Sequence, residues 1–223
     1  MVFENNSLQF LKDLKQNNNR EWFADNKNKL IKAQENFKAF FLTVKAKLEE
    51  KDEIDKVKLY RIYRDLRFSK DKSPYQPHFA VSFSRKGAHL RGGYYLRIRP
   101  EESFLAGGFW EPNKQDLYRI RKEFEFNDSD IKAILSEKKF VKHFGGKLMG
   151  EELKTAPKGF DKEHPAIYLI KKKAFIAKKN FLDKEVLSKS FIDEVNASFL
   201  ALRPYFDYMS RVLTTNINGE SII

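Results

Sequence analysis

Cysteine is absent from this 223-residue chain, which excludes disulfides, thiol nucleophiles and thiolate metal sites. Glycine and proline are sparse, at 10 and 7 residues, so the composition is not that of a linker or a low-complexity chain. No apolar run approaches the ~20 residues needed to span a bilayer. The opening MVFENNSLQF has neither a basic leader nor an apolar stretch, so no signal peptide and no membrane association are expected, and the cytoplasm is the expected location. Histidine is confined to His78, His89, His143 and His164, without an i, i+4 pair; no metal site is expected. The glycine-rich stretches GGYYL, AGGFW and FGGK fit neither a P-loop nor a dinucleotide-binding fingerprint. No serine-hydrolase elbow is present either, and no cofactor is expected.

Core-forming residues are ample. Hydrophobic residues make up 41% of the chain, with 21 Phe and 9 Tyr, enough for one packed domain over 1–223. Charge is unevenly placed. The formal net charge is +12, and the stretch Lys56–Arg99 holds twelve Lys and Arg against only Asp65 and Asp71, a local +10. Such concentration predicts a local field with a place for an anion.

Hydrophobic spacing divides the chain into helices, then strands, then helices. Leu8, Leu11 and Leu14 predict a helix over Ser7–Lys15 with Ser7 as its cap. Asn17, Asn18 and Asn19 break it, and a long amphipathic helix is expected over Arg20–Glu50. Short, aromatic-rich runs at Phe79–Arg85, Gly93–Arg99 and Ser103–Trp110 predict strands, and their short connections predict antiparallel pairing. Further helices are expected after Pro112 and after Asp128, the latter unit ending at Gly145-Gly146. A short helix and a lysine-protected edge strand are expected within IYLIKKKAFIAKKNF. The tail Lys189–Thr215 reads as helix divided or kinked at Pro204. The expected fold is α+β: one domain with a mostly antiparallel sheet packed against several helices, one of them the long N-terminal helix.

Within the basic stretch, YRIYRDLRFSKDKSPYQPH gathers candidate ligand-binding residues. As a strand it places Arg61, Tyr63, Asp65 and Arg67 on one face and Tyr60, Ile62, Arg64, Leu66 and Phe68 on the other; as a helix it aligns Arg61, Arg64 and Arg67. A strand to about Tyr63, followed by a turn near Arg64, is the expected form. The loop Ser69–Tyr75 offers Lys70, Lys72, hydroxyls and backbone amides, and His78 adds a titratable ring. Arginine forks match phosphate oxygens bidentately, which lysine cannot do. Tyr60, Tyr63, Tyr75, Tyr94, Tyr95, Phe109 and Trp110 lie among or near these cations, and an exposed ring there can stack a base.

The segments NNREWF, RIYRDLRFSKDKSPYQPH, GGYYLRI, GGFWEP and PKGFDKEHP resemble the bacterial domain-of-unknown-function family number 2461, over about Leu8–Thr215. The resemblance implies one domain spanning nearly the whole chain and assigns no reaction, ligand or catalytic residue. From the residues themselves, the expected function is binding of a phosphate-bearing ligand, a nucleotide or nucleic acid. Arg61, Arg64, Arg67, Lys70, Lys72, Tyr75 and His78 are the contacts. Two alternatives use the same segment. One is an enzyme acting on a small anionic substrate, with Asp65 and His78 as acid/base pair. The other is a structural or partner-binding module whose arginines are neutralised from within. The oligomeric state is left open.

Overall fold

The 3.6-residue spacing of Leu8, Leu11 and Leu14 becomes helix α1 (Asn5–Gln16) in the computed structural model, which describes residues 1–67 and 70–223. Phe68 and Ser69, expected on a strand face and in the loop, lie outside the described residues. Ser7 is not the cap: Glu4 precedes the helix, and Ser7 is buried with its hydroxyl donating to Asn36 Oδ1 at 3.0 Å. A buried hydroxyl needs such a partner, and the helix start shifts to let Asn36 supply it.

The single helix expected over Arg20–Glu50 is two, α2 (Arg20–Asp25) and α3 (Lys27–Glu49), divided at Asn26. The Asn26 amide donates to Trp22 O at 2.9 Å, the local competition for backbone groups that asparagine offers. Asn19 caps α2 by accepting from Trp22 N.

The strands follow the sequence pattern closely. β1 (Ile54–Leu59), β2 (Phe79–Arg85), β3 (Gly93–Ile98), β4 (Ser103–Phe109) and β5 (Phe175–Phe181) form one antiparallel sheet in the order β1-β2-β3-β4-β5. Between β4 and β5 lie α4 (Lys114–Phe126), α5 (Ser129–Ser136), α6 (Lys138–Phe144) and α7 (Ile167–Ile170). Gly145, at φ 68°, ends α6 in the left-handed conformation that glycine adopts freely. After β5 come α8 (Asp183–Val186), α9 (Phe191–Leu200) and α10 (Arg203–Thr214), with Pro204 in the first turn of α10. The division expected at Pro204 is present, because proline's missing N–H costs nothing at a helix start. The fold is α+β.

Two compact units are distinguished, each assembled from separated stretches of chain: 1–83, 95–105 and 180–197 in the first, 84–94, 106–179 and 198–223 in the second. The first unit packs Phe37 of α3 on Phe79 of β2 at 5.3 Å and Phe40 on Phe191 of α9 at 5.3 Å. In the second, Tyr205 is fully buried and donates to Phe175 O at 2.8 Å, while Phe124 of α4 meets Phe175 edge to face. This unit also absorbs part of the basic stretch. The Arg85 side chain is 0% exposed and donates to Asp207 at 2.8 Å, and Arg91 pairs with Asp116. Both guanidiniums are paired with carboxylates of the second unit.

Candidate functional site

Beyond β1 the chain continues beside the segment that leads into β2. Tyr60 N donates to Ala80 O at 3.0 Å, Gln76 N to Ile62 O at 2.6 Å and Arg64 N to Pro74 O at 2.9 Å, with an antiparallel bridge between Tyr63 and Tyr75. The strand expected to reach Tyr63 ends at Leu59 instead, and beyond it pairing among the described residues is limited to these bonds and the isolated Tyr63–Tyr75 bridge. Asp71 accepts from Ser73 N and Ser73 Oγ at 2.9 and 2.7 Å. Those two donors, and then Arg64, hold Asp71 below the usual carboxylate range.

The three arginines expected to act together are distributed differently. Arg61 is exposed and has no hydrogen bond or ion pair among the described residues. Arg67 is exposed and forks Asp65, Nε to Oδ1 at 3.0 Å and Nη2 to Oδ2 at 2.7 Å. Arg64 alone turns inward, 18% exposed, with Nη1 2.7 Å from Asp71 Oδ2. Lys70 is exposed, and Lys72 donates to Leu66 O at 3.1 Å. Tyr75 is 6% exposed and stacks on Phe23 with ring centroids 3.6 Å apart; its ring belongs to the core, and burial raises the pKa of its hydroxyl.

His78 is where charge converges. Burial, then Arg97, Arg99 and Arg64, push its pKa down to about 4. Arg97 and Arg99 follow from strand alternation: on β3, Tyr94, Leu96 and Ile98 are buried while Tyr95, Arg97 and the flanking Arg99 are half-buried on the other side. Neither arginine was singled out among the candidate contacts, although the alternating pattern of YYLRIR carries that signal. Arg97 lies over the Phe104 ring at 4.4 Å. Arg97 and Arg99 share one carboxylate, Glu102, at 3.7 and 3.3 Å. The cluster therefore holds three guanidiniums, Arg64, Arg97 and Arg99, against two carboxylates, Asp71 and Glu102. The buried Nε groups of Arg64 and Arg97 and Nδ1 of His78 have no hydrogen-bond partner among the described residues, while Arg99 reaches Glu102 through its Nε.

Asp65 and His78 do not share an environment. Asp65 is exposed and occupied by Arg67, and the charges acting on His78 are all positive. Among the described residues, no three His, Asp or Glu side chains gather in a metal-ligating group. No helix among them is long and apolar enough to cross a membrane. A separate groove of about 600 Å³ in the second unit, lined by Trp110, Met149 and Ile176, contains none of the expected site residues.

The depressed His78 pKa sets a pH dependence. The unfolded chain takes up the proton near pH 6.5 and the folded chain near 4, so the stability is fully present above about pH 6.5 and is lost as pH falls towards 4. The shift corresponds to about 3 kcal/mol. In urea unfolding, His78→Gln should lose less stability than wild type between pH 7 and pH 4.5. Identical losses in the two proteins would remove His78 as a source of acid sensitivity.

The chain is thus an α+β protein with an undercompensated arginine cluster beside one face of its sheet. Its residues 6–208 match the model of the family described as a conserved hypothetical protein, DUF2461, and the chain belongs to that family. No curated protein and no solved structure matches it.

Proposed function

We propose that the protein binds a phosphate-bearing ligand, a nucleotide or nucleic acid, at the cluster of Arg64, His78, Arg97 and Arg99. The observation that carries this reading is the crowding of three guanidiniums around one neutral histidine with two carboxylates between them. Like charges brought together disfavour one another, and a bound anion offsets that repulsion. Phosphate suits the forked geometry of guanidinium donors. Arg61 and Lys70, exposed and without ion pairs among the described residues, add longer-range attraction.

Fluorescence anisotropy of labelled single- and double-stranded oligonucleotides, with a labelled nucleotide in parallel, tests the proposal. Binding should weaken steeply with salt, with a log–log slope of about −0.7 per neutralised phosphate of a single strand. Absence of binding by all three probes at low salt would refute it.

A further inference from the structure

The face that carries the arginine cluster also carries aromatic rings. We infer that the ligand is a single-stranded nucleic acid, with one base stacked on Tyr60 and its backbone passing from Lys58 to Arg97 and Arg99. This rests on the phosphate-binding reading above and narrows it to one class of ligand.

Strand alternation aligns Lys56, Lys58 and Tyr60 on one side of the chain at β1, the end strand of the sheet. Lys56 and Lys58 are exposed, and Tyr60 is 39% exposed. Lys58 Nζ lies 5.0 Å from the Tyr60 ring centre. On the far side of β2, Tyr95 of β3 meets Tyr60 edge to face at 5.8 Å. Tyr95 in turn contacts Phe104 of β4 at 5.6 Å, and Arg97 covers that ring. The result is a pair of tyrosines, Tyr60 and Tyr95, flanked by cations, Lys58 on one side and Arg97 and Arg99 on the other.

This order selects among phosphate ligands. Cations stand on both sides of the tyrosine pair, so phosphates flanking a stacked base on either side are matched. A mononucleotide has phosphate on one side only. A duplex keeps its bases stacked on each other and presents only their edges, whereas ring stacking needs a base freed from its neighbours. Tyr63, exposed at 61%, packs edge-on against Phe23 and Tyr75 rather than against Tyr95, so it does not join the tyrosine pair that leads to Arg97.

The test compares wild type, Tyr60→Ala and Tyr60→Phe, all checked for an unchanged Tm. The probes are a labelled single-stranded oligonucleotide of about 12 residues, an abasic strand of equal length and charge, the matching duplex, and inorganic pyrophosphate followed by calorimetry. The single strand should bind wild type more tightly than the abasic strand or the duplex. Tyr60→Ala should weaken single-strand binding about 10-fold and leave pyrophosphate unaffected, while Tyr60→Phe retains wild-type affinity. Equal binding of normal and abasic strands, a preference for duplex, or a Tyr60→Ala variant that binds the single strand like wild type would overturn the inference. Binding of pyrophosphate without binding of any oligonucleotide would overturn it too, yet leave the phosphate reading standing; failure of every probe would remove both.

Discussion

Alanine at both Arg97 and Arg99 should weaken single-stranded oligonucleotide binding by about 100-fold at low salt and flatten the log–log salt slope by about 1.4. These side chains stand on one face of β3, and only Glu102 opposes the two of them. The same substitution should raise the His78 pKa from about 4 towards its ordinary value, since Arg97 and Arg99 are the largest charge contributions after burial. Nuclear magnetic resonance titration of the imidazole reads this directly. Arg97→Lys with Arg99→Lys keeps the charge but loses the fork, so it should retain the salt slope while recovering only part of the affinity. A folded double-alanine variant that binds like wild type would exclude this cluster as the site.

Gly108→Ala should be strongly destabilising, at on the order of 3–5 kcal/mol. Gly108 sits on β4 at φ +146°, and a Cβ there would lie 2.1 Å from Phe175 O and 2.9 Å from Ile176 Cα. The obstacle is the backbone of β5, the neighbouring strand, so relief requires the β4–β5 pairing to open. Gly219→Ala is the control. It also has a positive φ, +83°, but no atom within 4 Å of the added Cβ, leaving only the left-handed penalty of about 1–2 kcal/mol. Urea unfolding of the two variants separates close approach from backbone strain; equal losses would show that the contact with β5 is not limiting.

Most element types were legible because they depend on local periodicity. Alternation in FAVSFSR and the aromatic-rich GGYYLRI gave β2 and β3 to within a residue, and apolar spacing gave α1. One misplacement came from a side chain answering a distant partner. Ser7 is drawn inside α1 by Asn36, twenty-nine residues away in sequence. The division of the expected long helix at Asn26 has a local cause instead, the side-chain bond from Asn26 to Trp22 O one turn back.

The candidate site divides along the same line. Composition alone established that positive charge is concentrated in Lys56–Arg99 and that cysteine chemistry is excluded. Spacing alone suggested Arg61, Arg64 and Arg67 as a group, because in an isolated segment neighbours in sequence are the only available neighbours. In the folded chain Asp65 captures Arg67, Arg61 stays in solvent and Arg64 turns towards His78. Hydrogen bonding across the sheet then brings β3, with Arg97 and Arg99, to the histidine from about twenty residues further along. The sequence by itself determined how much charge the protein carries, and in which strands. Strand pairing decided which charges meet, because the partner of a guanidinium is set by distance in space and by which carboxylates are already engaged.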